Sequence, residues 1–109
     1  MSDWIDVGAV DDIAPGGFQL AHTEDTVIAV FNIDGEFHAM EDICSHDYVS
    51  LTDGGDICGE EIVCARHGAC FNIKTGEALT PPAYESVPVF PVRIVDGIVQ
   101  TRDDRFDDE

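Results

Sequence analysis

The sequence predicts an all-β domain built from antiparallel sheets, and three observations lead there. Asp34-Gly35 and Asp96-Gly97 each separate two runs rich in β-branched and alternating apolar residues, the strongest short-range signal for a two-residue hairpin. Short apolar-alternating runs are punctuated by Pro and Gly clusters, which mark turns. No segment longer than about ten residues carries a capped 3.6-residue periodicity, so no substantial helix is expected.

In chain order, residues 3–7 and 17–21 read as an opening and a second strand, separated by the turn Asp11-Asp12-Ile13-Ala14-Pro15-Gly16-Gly17. Residues 26–33 and 36–40 form the first hairpin around Asp34-Gly35 and are expected at the centre of the base sheet. Residues 61–64 lead into a loop and residues 71–73 lead out of it, closed by Lys74-Thr75-Gly76-Glu77. Residues 89–95 and 98–101 make the second hairpin. Pro91 lacks a backbone donor and so places its run at an edge or a bulge. The acidic residues 103–109 read as a frayed, solvated tail.

A chain of 109 residues, 44% hydrophobic and 26% charged, has the composition and size of one domain over 1–109, with no room for a second, catalytic one. Its four cysteines could suggest a disulfide framework. The opening Met1-Ser2-Asp3-Trp4 is acidic and has no leader pattern, so a cytoplasmic protein with reduced thiols is expected. The strictly apolar run 27–31 falls far short of the roughly 20 residues needed to cross a bilayer.

With 23 Asp and Glu against 5 Lys and Arg, the formal charge is −18, and no Lys or Arg precedes Arg66. Nucleic acid and anionic membrane surfaces would repel such a chain. A basic protein face would be drawn to it, although solubility or adaptation to high salt would select the same surface. No G-x-G-x-x-G, P-loop or H-E-x-x-H motif occurs.

The residues that carry chemistry lie in Cys44-Ser45-His46 and Cys64-Ala65-Arg66-His67. Each stretch offers one thiolate and one imidazole so close together that both reach one metal only if the backbone curls around it. Both are therefore predicted as loops. Thiolates suit iron–sulfur clusters and zinc, and imidazole suits zinc and iron, so ligand type leaves a zinc-stabilised interaction module open. Structural zinc sites usually pair C-x2–4-C knuckles, whereas here each loop mixes one Cys with one His, which speaks against zinc.

C-x-H followed by C-x-x-H, with Gly68 after the second His and Pro81-Pro82-Ala83 downstream, resembles the Rieske [2Fe–2S] proteins over residues 44–83. The resemblance implies that Cys44, His46, Cys64 and His67 hold one [2Fe–2S] cluster, the thiolates on one iron and the imidazoles on the other. It implies a small cluster-binding subdomain of two ligand loops, about 41–83, on a base sheet from 1–40 and 84–102. Ser45, Gly68, Ala69 and Phe71 would surround the cluster, and Pro81-Pro82-Ala83 would cover it. The outer edges of His46 and His67 would form the electron gate, while His22 and His38 are expected to have no ligand role. Glu41, Asp42, Asp47, Asp53, Asp56, Glu60 and Glu61 fall in the loop and its approach. Some of them are expected to rim the gate, with Arg66 the nearby positive charge.

Rieske proteins of respiratory and photosynthetic complexes add a disulfide between the loops, at positions that here are Val49 and Arg66. Cys58 and Cys70 cannot replace it and are read as small, partly buried apolar residues. Those complexes also place hydroxyl donors where this chain has Ala69 and Phe71. Without donors to sulfur the reduced cluster is less stabilised and the potential falls. The resemblance thus narrows to the ferredoxins of bacterial aromatic-ring-hydroxylating dioxygenase systems. These are one-electron carriers without substrate turnover, set between an NAD(P)H-dependent reductase and a terminal oxygenase. The small Rieske subunit of an assimilatory nitrite reductase is the nearest rival.

Overall fold

The structure, a computed structural model, describes residues 4–23, 26–42, 52, 54–64, 68–79 and 86–103. Among the described residues, ten strands lie in three antiparallel sheets. One sheet has the order β1 (Ile5–Ala9), β10 (Ile98–Thr101), β9 (Val92–Val95). The second has the order β2 (Phe18–His22), β3 (Val27–Ile33), β4 (Glu36–Glu41), β8 (Val89–Phe90). The third is the small sheet β5 (Asp56–Cys58), β6 (Glu61–Val63), β7 (Cys70–Asn72). A 3-10 turn, Val10–Asp12, links β1 to β2 and was not expected from the sequence. It is held by the Ala9 N–H donating to Asp12 Oδ2 at 3.1 Å and by the Val10 N–H donating to the Gly97 carbonyl at 3.0 Å.

The middle sheet is covered on both faces, and β3 shows why. Its residues alternate sides: Ala29, Phe31 and Ile33 pack with Met40, Ile62, Cys64, Phe71, Ile73 and Val87 on one face. Ile28 and Val30 pack with Ile13, Ala21, Ala39, Phe90 and Val99 on the other. A strand buried on both faces needs a continuous apolar run rather than an alternating one, which is the reason for Val27 to Phe31. The expectation that the first hairpin forms the sheet centre is met, since β3 and β4 are the inner strands. Asp34 and Asp96 begin the two hairpin turns in the left-handed region, at φ 53° and 52°, each followed by a glycine that adopts positive φ without cost.

Pro91 does more than mark an edge. The run 89–95 splits there, β8 joining the edge of the middle sheet beside β4 and β9 joining the edge of the first sheet beside β10. The Pro91 carbonyl accepts from the buried Thr101 hydroxyl at 2.8 Å, which fixes the crossing. The tail begins later than expected: Asp103 is 5% exposed, so it belongs to the folded part rather than to a solvated end, and residues 104–109 lie outside the described residues.

Candidate metal centre

The second ligand stretch grows out of the β6–β7 hairpin. Val63 pairs with Cys70, and the intervening chain is closed by the Cys64 N–H donating to the Ala69 carbonyl at 2.7 Å and the Gly68 N–H donating to the Cys64 carbonyl at 3.0 Å. Gly68 sits at φ 73°, the left-handed conformation that brings the chain back to β7. Cys64 is 2% exposed and packs in the same buried cluster as Ala69, Phe71 and Ile62.

Of the four expected ligands, Cys64 alone lies within the described residues; Cys44, His46 and His67 lie outside them, as do Ser45, Val49, Arg66 and Pro81-Pro82-Ala83. Ala69 and Phe71 are fully buried, and their side chains offer no donor beside Cys64. This thiol, in a closed loop walled by apolar side chains, fits a ligand to an iron–sulfur centre shielded from water.

The segments that leave and return around this point are tied down. Asp42, immediately after β4, donates its N–H to the Val27 carbonyl at 2.8 Å, and its carboxylate accepts from the Thr52 N–H at 2.9 Å and the Thr52 hydroxyl at 3.0 Å. The neighbouring Glu41 N–H donates to the Pro88 carbonyl at 2.9 Å, and its side chain accepts from the Thr26 hydroxyl at 2.5 Å. Beyond β7, Asn72 Oδ1 accepts from the N–H groups of Lys74 and Thr75 at 2.8 and 3.1 Å, turning the chain back. The Leu79 N–H then donates to the Cys70 carbonyl at 2.8 Å, and the Val87 N–H donates to the Gly76 carbonyl at 2.7 Å.

One expectation changes. Cys58 is exposed at the end of β5 opposite Glu61, not partly buried, because β5 forms a short hairpin with β6 whose inner face is taken by Ile57 and Ile62. That hairpin was not anticipated, although Gly59 ahead of Glu60 is a two-residue turn signal. Of the seven acidic residues in the loop and its approach, Asp42 is 8% exposed and turned inward while Asp56, Glu60 and Glu61 are exposed; Asp47 and Asp53, like the two histidines of the expected gate, lie outside the described residues. Cys70 is half-buried, its Sγ 3.7 Å from the Gly68 carbonyl oxygen. His22 is exposed on β2, and His38 on β4 lies 3.2 Å from Glu36. Neither Asp42 nor Thr52 stood out in the sequence, since one carboxylate among so many carries no mark.

Lys74, the chain's single lysine, reaches Glu36 at the start of β4 and Glu60 in the β5–β6 turn, both at 3.5 Å, and so joins the middle sheet to the small one. The hydrogen bond from His38 and the nearby Lys74 charge hold the Glu36 carboxyl below its ordinary value. Glu60, and after it Glu36, raise Lys74.

The sequence profile described as the Rieske [2Fe-2S] domain matches residues 3–91. The chain is 40% identical over 87 residues, 79% of either protein, to the biphenyl dioxygenase ferredoxin subunit of Pseudomonas sp. (strain KKS102). It is 36% identical over 102 residues, 92% of either protein, to the anthranilate 1,2-dioxygenase ferredoxin subunit of Burkholderia cepacia. Among solved structures, the Sphingomonas yanoikuyae B1 ferredoxin superposes with a TM-score of 0.84 at 31% identity, covering 93% of this chain and 99% of the other. A chain from the complex of reduced oxygenase and oxidized ferredoxin in carbazole 1,9a-dioxygenase does so with a TM-score of 0.85 at 32% identity, covering 90% and 91%. With this match over most of its length, the chain belongs to the Rieske [2Fe-2S] domain family, and its cofactor is a Rieske-type [2Fe–2S] cluster.

Proposed function

We propose that this chain is the ferredoxin component of an aromatic-ring dioxygenase system, a one-electron carrier that delivers electrons to a terminal oxygenase and turns over no substrate itself. The observation that carries this reading is the near end-to-end correspondence with a dioxygenase ferredoxin subunit, 92% of each chain. The carbazole 1,9a-dioxygenase complex of oxygenase and ferredoxin supports the same assignment of partner. An NAD(P)H-dependent reductase is the proposed electron source. Among the described residues no helix is long and apolar enough to cross a membrane.

The proposed ligands are Cys44, His46, Cys64 and His67, in a cluster-binding part over about 41–83. When bound, the cluster supplies the one-electron redox couple. The chain's own contribution is the closed 64–69 loop and an apolar wall from Ala69, Phe71 and Ile62 that excludes water from Cys64.

Purified protein is expected to be red-brown, with about two irons and two inorganic sulfides per chain and the low average g-value of nitrogen-ligated iron on reduction. Reduced protein mixed with the terminal oxygenase should be oxidised by it. Cys44→Ser and Cys64→Ser should abolish the visible spectrum, and Cys58→Ser should leave it intact. Colourless, zinc-containing protein would refute the assignment in favour of a structural zinc module.

A further inference from the structure

Asp42 and Asp103 are the buried carboxylates among the described residues, and Asp42 is the one that adjoins a ligand stretch. The surface is crowded with acidic side chains that remain in water at no cost, yet this one is 8% exposed. Burying a carboxylate is unfavourable unless donors replace its hydration. Two donors to it are the N–H and the hydroxyl of Thr52, at 2.9 and 3.0 Å. The backbone N–H of Asp42 is meanwhile fixed to the Val27 carbonyl at the start of β3, at 2.8 Å. In the sequence, Asp42 stands two residues before Cys44, and Thr52 stands after His46. The chain between them begins and ends at one hydrogen-bonded pair, anchored to the central strand. The ties at Cys64–Ala69 and at Gly76–Val87 join backbone to backbone. At Asp42 a side chain makes the tie, and it brings a negative charge into a poorly screened environment.

We infer that Asp42 is a positioning residue for the metal centre. Through Thr52 it sets the two ends of the segment that supplies Cys44 and His46, and its charge disfavours the added electron and so lowers the reduction potential. The inference rests on the proposed ligand set. Asparagine keeps an oxygen acceptor for the Thr52 N–H and can donate its amide hydrogen to the hydroxyl oxygen, so it preserves the tie and removes the charge. Alanine removes both, whereas Thr52→Val keeps the charge and, of the two Thr52 donors, the N–H.

The test uses the cluster-loaded protein and reads three quantities: the lifetime of the visible absorption in the presence of an iron chelator, the EPR signal, and the midpoint potential. Asp42→Ala and Thr52→Val should shorten the lifetime roughly fivefold or more, the equivalent of about 1 kcal/mol for a lost part-buried hydrogen bond. Asp42→Asn should restore the lifetime and shift the midpoint upward. Asp34→Asn, which removes a charge at the far end of the β3–β4 hairpin, about 20 Å away by strand length, should change neither. Wild-type lifetimes in both Asp42→Ala and Thr52→Val, an unmoved midpoint in Asp42→Asn, or an equal shift in Asp34→Asn would overturn the inference. If Asp42→Ala does not fold, Thr52→Val and Asp42→Asn decide it. Wild-type protein lacking iron and sulfide would instead refute the ligand assignment itself.

Discussion

The carbonyl oxygen of Val87 stands where a Cβ on Gly76 would have to go, and Gly76 adopts φ 77° beneath it. The Val87 N–H donates to the Gly76 carbonyl at 2.7 Å, so the segment returning after residue 85 is seated directly on the turn after β7. Gly76→Ala should therefore destabilise the protein by at least about 2 kcal/mol, from the left-handed backbone and the forced displacement together. Urea unfolding of the cluster-loaded protein measures this, and a change within error of zero would mean that residues 86–88 are free to move aside.

Asn32 is 5% exposed and satisfies groups on two turns: its Nδ2 donates to the Ile13 carbonyl at 2.7 Å and its Oδ1 accepts from the Gly35 N–H at 2.8 Å. Leaving a buried polar group unpaired costs about 1–3 kcal/mol. Asn32→Ala strands both partners and should lower stability by roughly 2–4 kcal/mol. Thermal or urea denaturation should show the loss without any change in the visible spectrum.

Ala69 and Phe71 are fully buried beside Cys64 and have no hydroxyl. The midpoint potential should lie near the low end of the roughly −150 to +300 mV span of such centres. Ala69→Ser combined with Phe71→Tyr introduces donors and should raise it. An unchanged potential in a correctly loaded double variant would show that the new hydroxyls do not reach sulfur, and that charge or solvent access sets the value.

Electrostatic steering by the exposed carboxylates predicts that the rate of electron exchange with the protein partners falls as salt rises. Between about 0.02 and 0.5 M salt the screening length shrinks from roughly 20 Å to under 5 Å. Asp56 and Glu61 are exposed on the small sheet that carries Cys64. Asp56→Asn with Glu61→Gln should flatten the salt dependence of the second-order rate, leaving the midpoint nearly unmoved. A wild-type rate indifferent to salt would assign the acidic surface to solubility or salt adaptation.

The Glu36–Lys74–Glu60 bridge makes a pH-dependent contribution with a defined sign. Glu36 is lowered in the folded state, so its contribution is present above the ordinary carboxylate range and disappears as pH falls through its folded value. Lys74 is raised, so its contribution is present below its ordinary value and is lost as pH rises through the higher folded one. Lys74→Met should therefore cost stability at neutral pH and approach wild type in acid. Because both carboxylates are exposed and Lys74 is only half-buried, salt should weaken the same difference. Denaturation midpoints across pH and salt provide the check.

The hairpins around Asp34-Gly35 and Asp96-Gly97, the central place of β3 and β4, and the family were all legible in residue order. Each rests on chemistry between near neighbours: a turn that needs positive φ, an apolar run, a fixed spacing of Cys and His. The pairing of β1 with β10, the division of the 89–95 run at Pro91 and the inward turn of Asp42 were not. Ile5 meets Thr101 from the other end of the chain, and nothing local to either residue names the other. Pro91 announces that a ladder bond is missing, but which sheet receives each half depends on what already lines β4 and β10. Asp42 differs from Asp56 in no local feature. It accepts from Thr52 and its backbone N–H reaches Val27, so only the assembled fold distinguishes a carboxylate held inside from one that faces water.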